Sequence, residues 1–116
     1  MGARTNYVIK TTKNPEQDIV VYSHWDGEES VQIFSKALKH STTRLGDNSY
    51  FTRMLIDQLT KGGRDGELGY GVYVGKVTHE ESYDYKEVDL VNNTVTIGDS
   101  KISLEEFIND KSALYI

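Results

Sequence analysis

A strand gives way to a helix within one continuous stretch, DIVVYSHWDGEESVQIFSKALK, which covers residues 18–39. Its first part, residues 18–24, is rich in β-branched and aromatic side chains, which is typical of a strand. Its second part, residues 28–39, has apolar side chains at the three- and four-residue spacing of an amphipathic helix, at Val31, Phe34 and Leu38. Asp26 precedes this helix as a candidate N-cap. We therefore predict a strand, a short turn and a helix.

The same patterns extend outward from this stretch in both directions. Further strands are predicted at residues 6–11, 71–77, 87–91 and 94–97, and further helices at residues 48–60 and from residue 103 onward. The predicted order is therefore ββααβββα. Because short connections join most of the strands, we expect an α+β fold, an antiparallel sheet with helices packed on one face.

Residues with specific turn chemistry mark the ends of these elements. Asp47 or Ser49 is a suitable N-cap for the second helix, and the glycines at 62–63 are suitable for ending it. The asparagines at 92–93 can adopt a positive φ and so suit a hairpin. Residues 103–106 read as the capping box of a short last helix.

Composition excludes several classes of protein. The chain has 116 residues, which fits a single domain spanning residues 1–116, and it has no cysteine, which excludes disulfides and thiolate metal sites. Its net charge of −5 argues against binding to duplex nucleic acid. The apolar runs are too short to span a membrane, and no secretory signal is evident. We expect a protein of a reducing, cytoplasmic compartment.

The turn between the first strand pair and the first helix is the first candidate site. A strand-to-helix junction directs backbone N–H groups toward an anion, and Trp25 offers a face on which a base can stack. His24 can donate or accept a hydrogen bond, and Asp26 can cap the helix or accept from a base edge. The alternative interpretation is a helix cap with a buried tryptophan and a satisfied histidine. The sequence leaves both open.

A second candidate group surrounds the predicted second helix and includes Arg44 and Asp47. Tyr50, Arg53 and Asp57 share one helical face, opposite the apolar positions Phe51, Leu55 and Leu59. An arginine on such a face can bind phosphate through its planar fork. An exposed ion pair between Arg53 and Asp57 is the alternative.

Gly69-Tyr70-Gly71 is a third candidate, because two glycines allow close approach of backbone to a ligand, although a turn into a strand has the same needs. Evidence for catalysis is missing: His24, His40 and His79 lack metal-ligand spacing, and no Gly-x-Ser-x-Gly elbow occurs. We expect a ligand-binding module that is not an enzyme and uses neither a metal nor a cofactor.

The order of these three groups resembles that of the bacteriophage anti-CBASS sponge proteins. The resemblance covers about residues 20–75 and rests on the His-Trp turn, the Arg44…Asp47…Tyr50…Arg53 segment and Gly69-Tyr70-Gly71. Leu68 stands where that pattern has a threonine. The resemblance implies a non-catalytic trap that binds a cyclic dinucleotide, such as cyclic GMP-AMP, as a homotetramer. Such a trap denies that signal to the host's abortive-infection effector, in the host bacterial cytoplasm.

The resemblance implies roles for eight residues. Base stacking would fall to Trp25 and Tyr70, and phosphate binding to Arg44 and Arg53. Hydrogen bonds would come from His24 and Tyr50, while Asp26 and Asp47 would read a base edge or hold the arginines. Two other functions stay open. One is a phage protein that blocks a host defence protein through its acidic, tyrosine-rich surface at residues 80–87, and the other is a metal-dependent nucleotide hydrolase.

Overall fold

The computed structural model describes residues 4–63, 65–77 and 83–109. His79, Glu80 and Glu81 of the predicted sites therefore lie outside the described residues. The strands are β1 (Thr5–Lys10), β2 (Ile19–Ser23), β3 (Tyr70–Val74), β4 (Lys86–Asp89), β5 (Thr94–Ile97) and β6 (Ser100–Ser103). The helices are α1 (Ser30–His40), α2 (Asn48–Thr60) and α3 (Leu104–Asn109). The α+β class is confirmed, and the order of elements agrees with ββααβββα except that β6 is added.

The six strands form one sheet in the order β3-β2-β1-β4-β5-β6. Four of the five neighbouring pairs are antiparallel, but β1 and β4 pair parallel, with Val8 opposite Glu87. The sheet is therefore mixed, which corrects the expectation of a wholly antiparallel one. The physical reason is the connection: two helices and β3 lie between β1 and β4 in the chain, so no hairpin constrains their direction.

β6 escaped prediction because its sequence, Ser-Lys-Ile-Ser, lacks the apolar alternation of a half-buried strand. It forms because Gly98 adopts a φ of +61° and turns the chain back onto β5. Pairing with β5 satisfies its backbone, and Ile102 is the β6 side chain that packs against the core.

The core lies between the helices and one face of the sheet. Alternate strand residues contribute Tyr7, Ile9, Val21, Val88, Val95 and Ile97, and the helices contribute Phe34, Leu38, Phe51, Leu55, Leu59 and Phe107. Tyr7 stacks on Phe34, with ring centroids 5.9 Å apart. The apolar spacing of α1 and α2 therefore marked their buried faces correctly, and the helices cover this face of the sheet as expected.

Most of the predicted turn chemistry is also present. The Asp47 carboxylate accepts a hydrogen bond from the Tyr50 N–H at 3.3 Å and so caps α2. The Ser103 hydroxyl accepts from the Glu106 N–H at 3.0 Å, and Asn93 has a φ of +57°. Within the described ranges, no helix has both the length and the apolar character needed to cross a bilayer.

Candidate ligand-binding site

The turn after β2 is held against the loop that precedes β3. The His24 N–H donates to the carbonyl of Gly69 at 2.8 Å, which extends the β2–β3 ladder by one pair. The Asp26 N–H donates to the Ser23 hydroxyl at 3.1 Å and tightens the turn itself. These bonds bring the first and third predicted groups, which are far apart in sequence, to one place on the surface.

Three rings meet at this place. The Trp25 ring lies edge-to-face with Tyr70, at 6.1 Å between centroids and 86° between planes, and with His24, at 6.1 Å and 79°. Trp25 nevertheless remains 52% exposed. We call His24, Trp25, Asp26 and Tyr70 the Trp25 cluster. Its tryptophan is positioned by neighbours yet open to solvent, unlike the buried tryptophan of the alternative interpretation.

Asp26 is committed to Tyr70 rather than to a helix. The Tyr70 hydroxyl donates to the Asp26 carboxylate at 2.6 Å. Burial, and then this hydrogen bond, raise the pKa of Tyr70 above its ordinary value. Asp26 precedes a 3₁₀ turn at Gly27–Glu29, where its side chain makes no capping bond, and α1 begins only at Ser30. The prediction that Asp26 caps the first helix is thus corrected, because Tyr70 occupies its carboxylate.

His24 is oriented by a hydrogen bond of its own. Its Nδ1 lies 3.0 Å from the Tyr22 hydroxyl, and the tautomer decides which group donates. This bond fixes the plane of the imidazole and does not use Nε2. His24 is therefore held in place by a hydrogen bond beside the half-exposed Trp25 ring.

Glycines make the close packing of the cluster possible. Gly69 has a φ of +98°, and a Cβ added to it would lie 2.1 Å from Cζ2 of Trp25. A Cβ on Gly62 or Gly63 would lie 2.9 Å from the Tyr70 side chain. The sequence pattern marked Gly69 as a point of close approach, but the partner is the Trp25 ring of the protein itself. The glycines at 62 and 63 were predicted only as a helix end.

The second group lies where a 3₁₀ turn, Ser41–Arg44, leads into α2. The Arg44 guanidinium lies over the Tyr50 ring, 4.9 Å from its centroid, and Asp47 caps the helix beside them. Tyr50 is 47% exposed. We call Arg44, Asp47 and Tyr50 the Arg44 cluster. It combines a positioned cation with an aromatic ring at the start of a helix.

Arg53 lies one helical turn beyond Tyr50 of the Arg44 cluster, on an open groove between α2 and the start of β2. The groove has a volume of about 570 Å³, within the range of ligand pockets, and it is lined by Thr11, Ile19, Asn48, Ser49, Thr52, Arg53 and Ile56. Sequence reasoning missed Thr11 and Ile19. No local pattern identifies them, because only the packing of α2 on the sheet brings the residue after β1 and the first residue of β2 to the groove.

The predicted residues are thus spread along α2. Asp47 precedes its first residue, while Gly62 and Gly63, just beyond its last, pack on Tyr70 of the Trp25 cluster. A helix of 13 residues is about 20 Å long at a rise of about 1.5 Å per residue. The Trp25 and Arg44 clusters therefore lie near opposite ends of α2, so one chain does not gather all eight residues into a single pocket.

In the described parts of the chain, no three His, Asp or Glu side chains are grouped so that they could hold a metal ion. Comparison with protein-family models, curated proteins and solved structures finds no match to this chain.

Proposed function

We propose that this chain is a phage immune-evasion protein that binds and sequesters a cyclic dinucleotide second messenger, such as cyclic GMP-AMP, and so blocks host CBASS signalling. The observation that carries the proposal is Trp25: its ring is held edge-on by His24 and Tyr70, and yet it is 52% exposed. In this function the protein holds the nucleotide intact and catalyses no reaction on it.

A fixed and exposed indole is suited to stacking on a nucleobase. Stacking on an aromatic side chain contributes about 1–3 kcal/mol per base. The hydrogen bond between Tyr70 and Asp26 restrains the supporting ring, so little entropy is lost when a base is bound. His24 lies beside this face and offers a hydrogen bond to the edge of a base.

The two arginines supply charge for phosphates. Arg44 is restrained over the Tyr50 ring, and Arg53 is exposed beside the groove. A planar guanidinium binds a phosphate through two parallel hydrogen bonds. The net charge of −5 does not oppose this role, because local donors dominate the binding of a small anion.

The separation of the clusters favours binding between protomers. A ligand with two bases and two phosphates that touches both a stacking face and an arginine has to draw on more than one chain, because α2 keeps these groups apart. A homo-oligomer, which we propose to be a tetramer in the host bacterial cytoplasm, meets that need. We propose no cofactor.

Calorimetry against a panel of cyclic mono- and dinucleotides tests the function. We expect Trp25→Ala to weaken dinucleotide binding by about tenfold or more, from the loss of about 1–3 kcal/mol of stacking. Lys36→Ala, an exposed change on α1, is the matched control and should bind like the wild type. Absence of heat with every nucleotide in the panel would refute the proposal. Recovery of the intact nucleotide after heat denaturation separates a trap from a hydrolase.

Inhibition of a host defence protein is the second candidate, and one observation favours it. Tyr83, Asp84, Tyr85 and Asp99 line a cavity of about 730 Å³, and Tyr85 is 41% exposed. Aromatic rings beside carboxylates suit a basic protein surface. Capture of one host protein by the wild type but not by Tyr85→Ala, with Trp25→Ala unaffected, would favour this candidate over nucleotide binding.

A further inference from the structure

β3 is an edge strand of the sheet, and none of the described strands pairs with its outer side. Within the described residues it pairs only with β2, and its sequence, Tyr-Gly-Val-Tyr-Val, has neither a charge nor a proline. Val72 is 51% exposed and Val74 is 66% exposed. Natural proteins usually protect such an edge with lysine, proline or a bulge, because a bare edge pairs with another strand.

The hydrogen bonds at both ends of β3 show which backbone groups point outward. His24 N–H donates to Gly69, and Gly75 N–H donates to Asp18, each at 2.8 Å. Hydrogen-bonded and non-hydrogen-bonded pairs alternate along an antiparallel ladder. Gly71 and Tyr73 therefore bond inward to β2. Accordingly, the N–H and C=O groups of the alternate residues point away from the sheet, at Tyr70, Val72 and Val74.

We propose that two copies of this chain pair antiparallel through β3, with Val72 on the two-fold axis. Each outward N–H of one copy then meets an outward C=O of the other, because Val72 faces Val72 of the partner subunit and Tyr70 faces the partner's Val74. The same set of groups on both sides makes the edge complementary to itself, which is the requirement of an isologous dimer.

The side chains fit the same register. Tyr70, Val72 and Val74 share the helix-covered face, since they pair with Ser23, Val21 and Ile19 in the sheet. The exposed valines thus meet apolar neighbours on that face. On the opposite face Gly71 lies across from the partner's Tyr73, where an aromatic ring can cover the bare glycine.

Charge favours a second copy over an unrelated strand. The chain as a whole carries −5, which opposes self-association, but β3 itself is uncharged. Asp65 and Glu67 precede the strand, and Lys76 follows it. In the proposed register Lys76 of each copy lies across from position 68 of the other, next to the partner's Glu67, so one pair of opposite charges is brought close at each end of the interface.

The pairing has a consequence that rests on the proposed function. A two-fold axis normal to the sheet leaves both Trp25 clusters on one face. The two Tyr70 Cα atoms are then separated along the strand by four residues, about 14 Å at about 3.4 Å per residue. Two stacking faces on one surface would suit a ligand with two bases.

Single cysteines test the register directly, because the chain has no native cysteine. In the proposed pair the two residues at position 72 have Cα atoms about 5.5 Å apart. Their Cβ atoms are about 5.5 Å apart, somewhat beyond the reach of a direct disulfide but within that of a short bifunctional thiol reagent. Val72→Cys should therefore form a covalent dimer when treated with such a reagent. Val74→Cys, about 14 Å from its own counterpart along the strand, should remain monomeric on a non-reducing gel. Equal cross-linking of both variants, or faster cross-linking at position 74, would overturn the register.

Native mass spectrometry tests the pairing without a new bond. The wild type should show a dimer or an even-numbered oligomer, and Val72→Lys should dissociate that pairing, because two like charges would face each other on the axis. Leu45→Lys, which changes an exposed leucine away from β3, should leave the pairing intact. Circular dichroism checks that each variant is folded. If Val72→Lys does not fold, the cross-linking of the cysteine variants still tests the pairing. A monomeric wild type overturns the pairing. A dimer that binds no nucleotide refutes only the proposed function.

Discussion

Gly69 decides how the candidate site is built at the scale of single residues. Its backbone lies against the Trp25 ring at a distance that no side chain can share, and its φ of +98° is one that L-residues rarely adopt. The carbonyl of the same residue accepts from His24. One glycine thus fixes both the ring and the strand end on which that ring is carried.

Gly69→Ala should displace Trp25 and destabilise the protein by about 1–3 kcal/mol through backbone strain, to which the steric clash adds. Trp25 is the sole tryptophan, so its fluorescence spectrum reports the displacement directly. Gly71→Ala is the control, since a Cβ there meets nothing within 4 Å. An unchanged spectrum in Gly69→Ala would show that the loop adapts without moving the ring.

Tyr70 should ionise at a higher pH than an ordinary tyrosine. Burial and the Asp26 hydrogen bond raise its pKa, so the protonated phenol contributes stability below about pH 10, the ordinary tyrosine value. That contribution is lost as the pH rises through the higher pKa of the folded state. Trp25 emission should fall with a midpoint above about pH 10, as the neighbouring phenolate forms. Asp26→Asn should lower this midpoint, and Tyr70→Phe should abolish the transition. An unchanged midpoint in Asp26→Asn would show that the hydrogen bond from Tyr70 to Asp26 does not raise the pKa of Tyr70.

The hairpin of β4 and β5 shows how one side chain organises an element. The Asp89 carboxylate accepts from the Val91 N–H at 2.9 Å, and from the backbone and side-chain N–H groups of Asn92, both at 3.0 Å. Burial alone would raise the pKa of Asp89, but these bonds outweigh it and, with the charge of Lys10, lower the pKa. The turn is therefore closed by a carboxylate in its charged form.

Asp89→Ala should lower the free energy of unfolding by about 2 kcal/mol near neutral pH, as expected for hydrogen bonds to a charged group. Because the folded pKa of Asp89 is depressed, its contribution is present above the unfolded value of about 3.9 and is lost as the pH falls through the folded value. The difference between variant and wild type should therefore shrink in acid. Urea unfolding at several pH values measures it. Asp99→Ala, an exposed change in the next turn, should differ little from the wild type at any pH.

At the scale of the whole molecule, helix α2 sets the distance between the two clusters. The Arg44 cluster lies near one end of this helix, and the Trp25 cluster lies near the other. A cyclic dinucleotide that uses both therefore has to lie between chains. The edge strand β3 provides a way to bring two chains together, with the stacking faces on one side. Site and assembly are therefore linked through the same strand, since Tyr70 belongs to both.

Arg53→Ala should weaken the binding of a cyclic dinucleotide by about tenfold or more, from the loss of about 1.5–3 kcal/mol in charged hydrogen bonds. The same change should affect a cyclic mononucleotide that only stacks on Trp25 much less, because Arg53 lies away from that ring on the groove. Calorimetry of both ligands gives the comparison, with Lys36→Ala as the control. Equal losses for the two ligands would place Arg53 beside Trp25 in the bound state instead.

Local chemistry determined much of this protein. The apolar spacing at Phe34 and Leu38 and at Phe51, Leu55 and Leu59 identified the helices and their buried faces, and Asp47 identified the start of α2. These features depend on side chains a few residues apart, which interact within the element itself. The same reasoning placed a candidate site at the turn after β2 and marked Gly69 as a point of close approach.

Tertiary structure alone decided the rest. The parallel pairing of β1 with β4 and the groove lined by Thr11 and Ile19 arise from contacts between segments that are distant in sequence. The added strand β6 depends on its pairing with β5 across the Gly98 turn, which its own side-chain pattern does not indicate. Asp26 could have capped a helix, but its carboxylate instead accepts a hydrogen bond from Tyr70, 44 residues away. The length of α2 could be read from the sequence, but its packing against Tyr70 could not. Which residues share a surface depends on how rigid elements pack, and no local pattern encodes that.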